Sequence, residues 1–506
     1  MHQSLLIDEI LSHIIQLIAV DGQRDPKRLE NTSDLARLAR TCRSFMECAL
    51  DILWRTQHSL SPLIMCLPRG IWEIHSSNIL YLTRSPTGSE WTRFDVYSHR
   101  VKSFSYPKQT NVIRLHEDAL PLLFVERHPQ SLFPSLSSLD FSILSCNSSN
   151  FPLIRGFLSP KLTNLTFTLP RKMCPRDVCV VLEDLPRKAT HLENVAISSF
   201  FPVTSFKLNV STHELPYLRR LVVSNSIRIS AESMLNIASL RYVQELALNL
   251  QPDFDTDMLR GRTYHTFPAL RHLSLAAYDL PQCTSLVSLI STPRLEELAV
   301  SYDAQAPSSI VNSFLSAIGT SLRSISLRHN IQTNTIAGTP FIFYSSTFTP
   351  LLASRNLRII KFSHLGTLNL DDEFITAAAK AWSELEELRL CSLPWSSITP
   401  SISLNSLTAL TQDCPKLTHV HLALDARDIP ELPTGSLGVT GAQFLEVLNV
   451  RDSVIEHTEP VAQFLRAIIP NMKALYVEAH PELRDRWMQV KAHYDRLQMG
   501  PLQNGP

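Results

Sequence analysis

The chain has 506 residues with 47 Lys plus Arg against 47 Asp plus Glu, a formal charge of zero that excludes a global electrostatic pull toward nucleic acid or anionic membrane. Apolar residues at 44% exclude a disordered chain, and only 13 glycines beside 32 prolines argue against a phosphate-cradling nucleotide core, where backbone must approach the ligand. Nine cysteines without pairing rhythm suit reduced thiols in the cytoplasm or nucleus; Asp8 and Glu9 interrupt what would be a signal segment, and no apolar run of about 18 residues predicts a membrane span.

In chain order, Leu6, Ile10, Ile14 and Leu17 fall three or four apart and predict one apolar face of a first helix. A polar loop follows, and the stretch from Asp34 to Gln57 predicts two or three short helices. Asp34 is the expected N-cap, and Leu35, Leu38, Cys42 and Phe45 share one face ahead of Leu50, Leu53 and Trp54. About fifty residues cannot bury a self-sufficient core, so this unit must lean on something else or leave apolar surface for a partner. Further on, Trp91, Phe94 and Tyr97 are spaced for a short helix.

From there a repeat dominates. The phrase L-x-x-L-x-L recurs in thirteen copies whose first apolar positions run from Leu136 to Met472, 25 to 35 residues apart, with a weaker copy at Val101, Phe104 and Tyr106. Its last two apolar positions alternate with polar ones, as on a short strand. The intervening stretches carry helical spacing: Ile310, Phe314 and Ile318; Phe374, Ala378 and Trp382; Val461, Phe464, Leu465 and Ile468. Strands joined by helical crossovers are parallel, and stacked units of this size make a solenoid with strands on the concave side. A closing helix over Leu483, Trp487, Val490 and Tyr494 and a loose Gly/Pro tail end the chain.

The repeat resembles irregular leucine-rich repeats, with the family's Asn/Cys position filled suitably only by Asn330. The N-terminal segment resembles an F-box in three pieces: Leu6, Glu9, Ile10 and Leu11; Thr41 to Phe45; and Ala49 to Trp54. The phrase Trp91, Arg93, Phe94, Tyr97, Arg100 and Val101 is similar to one that follows the F-box in basidiomycete fungi. The expected fold is therefore an α/β leucine-rich-repeat solenoid preceded by a small all-α F-box. The expected division is 1–58 for the F-box, 59–100 for a linker and N-terminal cap, 101–480 for the solenoid, and 481–506 for the terminal helix and tail. The resemblance implies a Skp-family adaptor and a cullin scaffold as partners, a protein substrate on the repeats, no enzymatic role, no cofactor, and no binding to nucleic acid or membrane. Leu6, Ile10, Leu11, Leu38, Phe45, Leu53 and Trp54 are the expected adaptor-binding residues. A repeat scaffold with a non-docking F-box, and an inhibitor that occludes an enzyme, are the competing readings.

The common nucleophile, zinc and phosphate motifs, G-x-S-x-G, H-E-x-x-H, G-x-x-x-x-G-K-S/T and G-x-G-x-x-G, do not occur in the sequence. Cys174 with Cys179, and His419 with His421, are weak metal candidates outweighed by ordinary thiols and solvent-facing imidazoles. The hollow itself is legible. The residue between the last two apolar positions of each phrase is small, and neutral apart from Asp140, up to Ser326, then becomes Lys361, Arg389, His421, Asn449 and Tyr476, and the neighbouring column adds Arg328 and Arg451. Arg328, Lys361, Arg389, His421, Arg451 and Tyr476 are accordingly the expected substrate-binding set, suited to an acidic or phosphorylated segment, with Glu387 and Glu478 nearby.

Overall fold

The computed structural model describes residues 10–11, 13–15, 17, 30–75, 78–105, 113–126, 131–141, 148–170, 175–206, 215–224, 226–238, 240–255, 267–290, 294–331, 341–392, 399–431, 444–478 and 480–499. The chain divides into two compact units, Met1–Val243 and Gln244–Pro506, and the division falls inside the repeat array.

Unit 1 begins with a helical segment in which Leu11, Ile15, Leu35 and Ala49 form a small buried cluster, packed by Leu38, Ala39, Phe45, Cys48, Ile52 and Leu53. Two helices, Glu30–Leu38 and Arg43–Arg55, contribute to it. They are separate because Thr41 turns its hydroxyl back onto the Leu38 carbonyl at 2.7 Å and Cys42 is extended. Asp34, expected as an N-cap, lies inside the first of these helices and pairs with Arg37 at 3.3 Å.

The repeat strands of unit 1 are β1 (Thr56–Gln57), β2 (Ser103–Ser105), β3 (Ser138–Phe141), β4 (Asn164–Leu169), β5 (Asn194–Ser199) and β6 (Arg220–Val223). Each pairs in parallel with the next. Between β1 and β2 lie an antiparallel pair, Trp72–His75 with Ile79–Leu82, and the helix Thr92–Ser98. The first-expected cap residues Trp91 and Phe94 are buried against each other edge to face.

Unit 2 carries β7 (Glu245–Leu250), β8 (His272–Ala277), β9 (Glu297–Tyr302), β10 (Ser324–His329), β11 (Ile359–Ser363), β12 (Glu387–Cys391), β13 (His419–His421), β14 (Val447–Asn449) and β15 (Ala474–Tyr476). All neighbours are parallel and in register. Every apolar position of every L-x-x-L-x-L copy between Leu136 and Leu475 is buried, because a parallel stack exposes the alternate side chains and closes the others under the crossover helices. Two of those helices start on aspartate caps: Asp279 accepts from the Gln282 N–H at 3.1 Å, and Asp371 from the Phe374 N–H at 2.8 Å. This is the α/β leucine-rich-repeat solenoid, preceded by a small all-α segment.

A regular asparagine ladder is replaced by assorted polar bridges. Asn330 donates to Asp303 of the preceding turn at 3.0 Å, the Ser392 hydroxyl accepts from the Leu368 N–H at 3.1 Å, and the Ser453 hydroxyl accepts from the Leu424 N–H at 2.7 Å. Helix Pro481–Met499 closes unit 2: Trp487, Val490 and Tyr494 are fully buried, and the Tyr494 hydroxyl donates to the Ile469 carbonyl while accepting from the Met472 N–H. The expected tail, 500–506, lies outside the described residues.

Candidate functional site

Two surfaces carry the residues singled out by sequence. On the first, in the helical segment, the expected apolar stripe is turned over. Leu11 and Ile15 are the buried pair, whereas Ile10, Ile14 and Leu17 are exposed at 40%, 38% and 58%, with Met46 also open. The segment is apolar on two faces, and the second helix pair has room for only one of them. Leu38, Phe45 and Leu53 are half-buried and serve the internal cluster more than an outward surface. Leu6 lies outside the described residues.

Trp54 does something else again. Its indole stacks on Tyr97, centroids 4.6 Å apart. Around that stack the helix Arg43–Arg55 is fastened to the first repeat: Arg100 forms ion pairs with both Glu47 and Asp51, one turn apart on the helix, and the Lys102 N–H donates to the Arg55 carbonyl at 2.9 Å. The helix then runs directly into β1, which pairs with β2 through Thr56 opposite Ser103 and Gln57 opposite Phe104. Strand, stack and ion pairs leave the helical segment little freedom relative to the first rungs. The signal for this clamp was present in the sequence as the spacing of Tyr97 and Arg100, but not the identity of its acceptors.

The second surface lies on unit 2. Ser326, Lys361, Arg389, His421, Asn449 and Tyr476 occupy one transverse row over β10 to β15, each directly opposite the next. Neighbouring strands lie about 4.8 Å apart, so Ser326, Lys361, Arg389 and His421 form a continuous track, with buried Asn449 between them and Tyr476. Glu387, nearly buried, accepts from Lys361 at 2.8 Å and also from Arg389. Burial raises the Glu387 pKa, yet the bonds and charges of Lys361 and Arg389 outweigh it and the net shift is downward, so the carboxylate stays ionised and neutralises one of the two cations. Arg328 is exposed one column away. Burial, then the Arg389 charge, hold His421 down to about 4, so the ring is neutral at physiological pH. Tyr476 is open at 55%.

Arg451 departs from the expected open column. Its backbone sits in the left-handed region at φ 49°, and its side chain is folded in to 7% exposure, paired with Glu478 at 2.8 Å and donating to the Ser392 carbonyl at 3.3 Å. Asn449 is likewise buried and donates to Glu478 at 3.0 Å. These two hold the turn after β14 and are not available on the track. His419 and His421 share a strand face, with the His419 ring against the Thr418 hydroxyl. No group of three or more potential metal ligands occurs among the described residues, and Cys174 lies outside them. Among the described residues no helix is long and apolar enough to cross a membrane.

Comparison with known proteins adds a domain assignment. Residues 8–59 match the F-box-like family. The chain therefore carries an F-box-like domain at its N-terminal end. No curated protein matches the chain. Among solved structures, it is similar to an internalin from Listeria monocytogenes at 13% identity, over 79% of this chain and 86% of that one, with a TM-score of 0.37. The chain thus combines an F-box-like domain with a leucine-rich-repeat array.

Proposed function

We propose that the protein is the substrate-receptor subunit of an SCF-type cullin-RING ubiquitin ligase. In this reading the F-box-like domain docks a Skp-family adaptor, the adaptor reaches the cullin, and the repeat array holds a protein substrate. The chain performs no chemistry itself; the ligase supplies it elsewhere in the assembly. The boundaries 1–58, 59–100, 101–480 and 481–506 separate the docking, linking, recognising and closing parts, and the aromatic linker phrase likens the chain to fungal F-box proteins.

The observation that carries the reading is the exposed apolar set Ile10, Ile14, Leu17 and Met46 within the segment that matches the F-box-like family. A helical unit this small gains by covering such a surface, and a few apolar anchors dominate interfaces of this kind, at about 2 kcal/mol or more each. The clamp from Trp54 and Arg100 gives the docking unit a fixed bearing on the repeats, which a receptor needs to present substrate. Arg328, Lys361, Arg389, His421 and Tyr476 are the substrate contacts in this reading, with Arg451 holding the turn behind them. A track with one cation in excess of Glu387 at its centre and Arg328 one column away suits an acidic segment.

The test is pull-down of a recombinant Skp-family adaptor by the tagged full chain, wild type beside an Ile10→Asp, Ile14→Asp variant of equal thermal stability. Capture by wild type alone supports the receptor reading. Failure of the folded wild type to capture the adaptor leaves a binding scaffold with a non-docking F-box.

A further inference from the structure

Between the F-box-like segment and the first full repeats, unit 1 contains an open cleft of about 800 Å³ that neither docking surface uses. Its apolar lining is Met65, Leu67, Trp72 and Val96, the last 53% exposed on the helix Thr92–Ser98, beside the polar Ser89 and Thr92. Arg69 and Arg93 stand at the rim, both exposed. The one carboxylate in the lining, Glu90, is spent elsewhere. Arg84 grips it with two bonds of 2.6 and 2.8 Å, the Thr87 N–H adds a third at 2.8 Å, and these hold its pKa down to about 2. Neither Arg69 nor Arg93 has a carboxylate within 4.0 Å among the described residues, in a chain whose charges otherwise balance.

The cleft is also preformed. The Trp72 indole N–H donates to the Leu67 carbonyl at 3.1 Å, and Gly70 takes φ 105° at the turn between them, a value that a side chain would resist. The Thr83 hydroxyl pins the Gly70 carbonyl at 2.9 Å, and the opposite wall starts from a capping box of Thr87 and Glu90. The apolar side of the cleft is thus held before a ligand arrives, which removes part of the cost of association.

We propose that this cleft is a second protein-interaction site, which takes a peptide segment of a partner protein bearing an Asp or Glu beside a large apolar side chain. The apolar side chain lies on Trp72 and Met65 against Val96, and the carboxylate accepts from Arg93 and Arg69. Two unmatched guanidinium groups over an apolar floor select that combination: an apolar segment alone would leave them unpaired at a covered rim, and a basic one would be repelled. The site is independent of adaptor docking and of the track on unit 2.

The experiment titrates the full chain into two fluorescein-labelled dodecapeptide pools, one with Asp or Glu set between Leu or Phe residues and one with Lys in the acidic position, read by fluorescence polarisation. The acidic pool is expected to bind about tenfold or more tighter than the basic pool, and Arg69→Glu with Arg93→Glu to reverse the preference. Val96→Asp, also at an exposed position, is expected to weaken the acidic pool without moving the melting temperature. Equal binding of the two pools, or unchanged affinity in the arginine variant, overturns the proposal. A wild-type dimer in sedimentation velocity that the arginine variant abolishes assigns the cleft to a second copy of the chain and overturns it too.

Discussion

The Trp54 indole lies on the Tyr97 ring with the two planes only 25° from parallel, and it joins the last helix of the F-box-like domain to the short helix that precedes the second repeat strand. Beside this contact, Arg100 holds Glu47 and Asp51 from below the same helix, and β1 continues that helix into the ladder. In the proposed receptor role, the two partners must be held at a set distance. Here the joint is built from a stacked aromatic pair, paired charges and backbone hydrogen bonds instead of a free linker.

Removing the joint is expected to loosen the helical segment without unfolding the repeats. Tyr97→Ala with Arg100→Ala deletes a stacked pair and two ion pairs to exposed carboxylates, about 2 kcal/mol in all. Hydrogen exchange over Arg43–Arg55 should accelerate, while the strands of unit 2 exchange as before. Unchanged protection in the helix would show that the stack does not hold it.

Adjacent positions in the first helix should behave in opposite ways. Ile15→Ala opens a cavity in the small cluster of Leu11, Leu35 and Ala49 and is expected to cost about 2 to 4 kcal/mol in chemical denaturation. Ile14→Ala removes exposed surface and should change stability by no more than about 0.5 kcal/mol, while weakening adaptor capture.

On the repeat surface, Glu387 competes with any acidic ligand for Lys361 and Arg389. Glu387→Gln is expected to tighten binding of an acidic partner by several-fold, and Lys361→Glu with Arg389→Glu to abolish it. A substrate that binds the double reversal as well as wild type is held elsewhere.

His421 makes stability depend on pH in a predictable direction. The unfolded imidazole titrates at the ordinary value of 6.5, while burial and Arg389 hold the folded one down to about 4. Between those values the unfolded chain takes up a proton that the folded chain refuses. The stabilisation is complete above 6.5 and is lost as pH falls toward 4. The ring is half exposed, which reduces the effect to about 1 to 2 kcal/mol. His421→Gln should flatten the difference between denaturant midpoints at pH 7 and pH 4.5 relative to wild type.

One hydroxyl of the closing helix bridges two buried backbone groups. Tyr494→Phe leaves the buried Met472 N–H and Ile469 carbonyl without their shared partner, and is expected to cost about 1 to 3 kcal/mol, seen as a lower melting temperature.

Much of this protein follows from sequence alone. Thirteen copies of L-x-x-L-x-L determine a parallel, stacked strand array, because strand alternation places the leucines on one side and no single unit can bury them. The same alternation places Ser326, Lys361, Arg389, His421, Asn449 and Tyr476 on one row, and the structure puts them in adjacent register. The tertiary structure alone decides three things. The first helix is apolar at Ile10, Leu11, Ile14, Ile15 and Leu17, so periodicity cannot choose between two faces; packing against Leu35 and Ala49 buries Leu11 and Ile15 and leaves the others exposed. Arg451 reads as an open cation, yet a left-handed backbone turns it inward onto Glu478, 27 positions later. The cationic rim of Arg69 and Arg93 stays hidden among other charges in sequence. Only the fold reveals that Arg84 has taken the neighbouring Glu90 and left the two unmatched, because which charges pair is set by where side chains meet in space and not by their order along the chain.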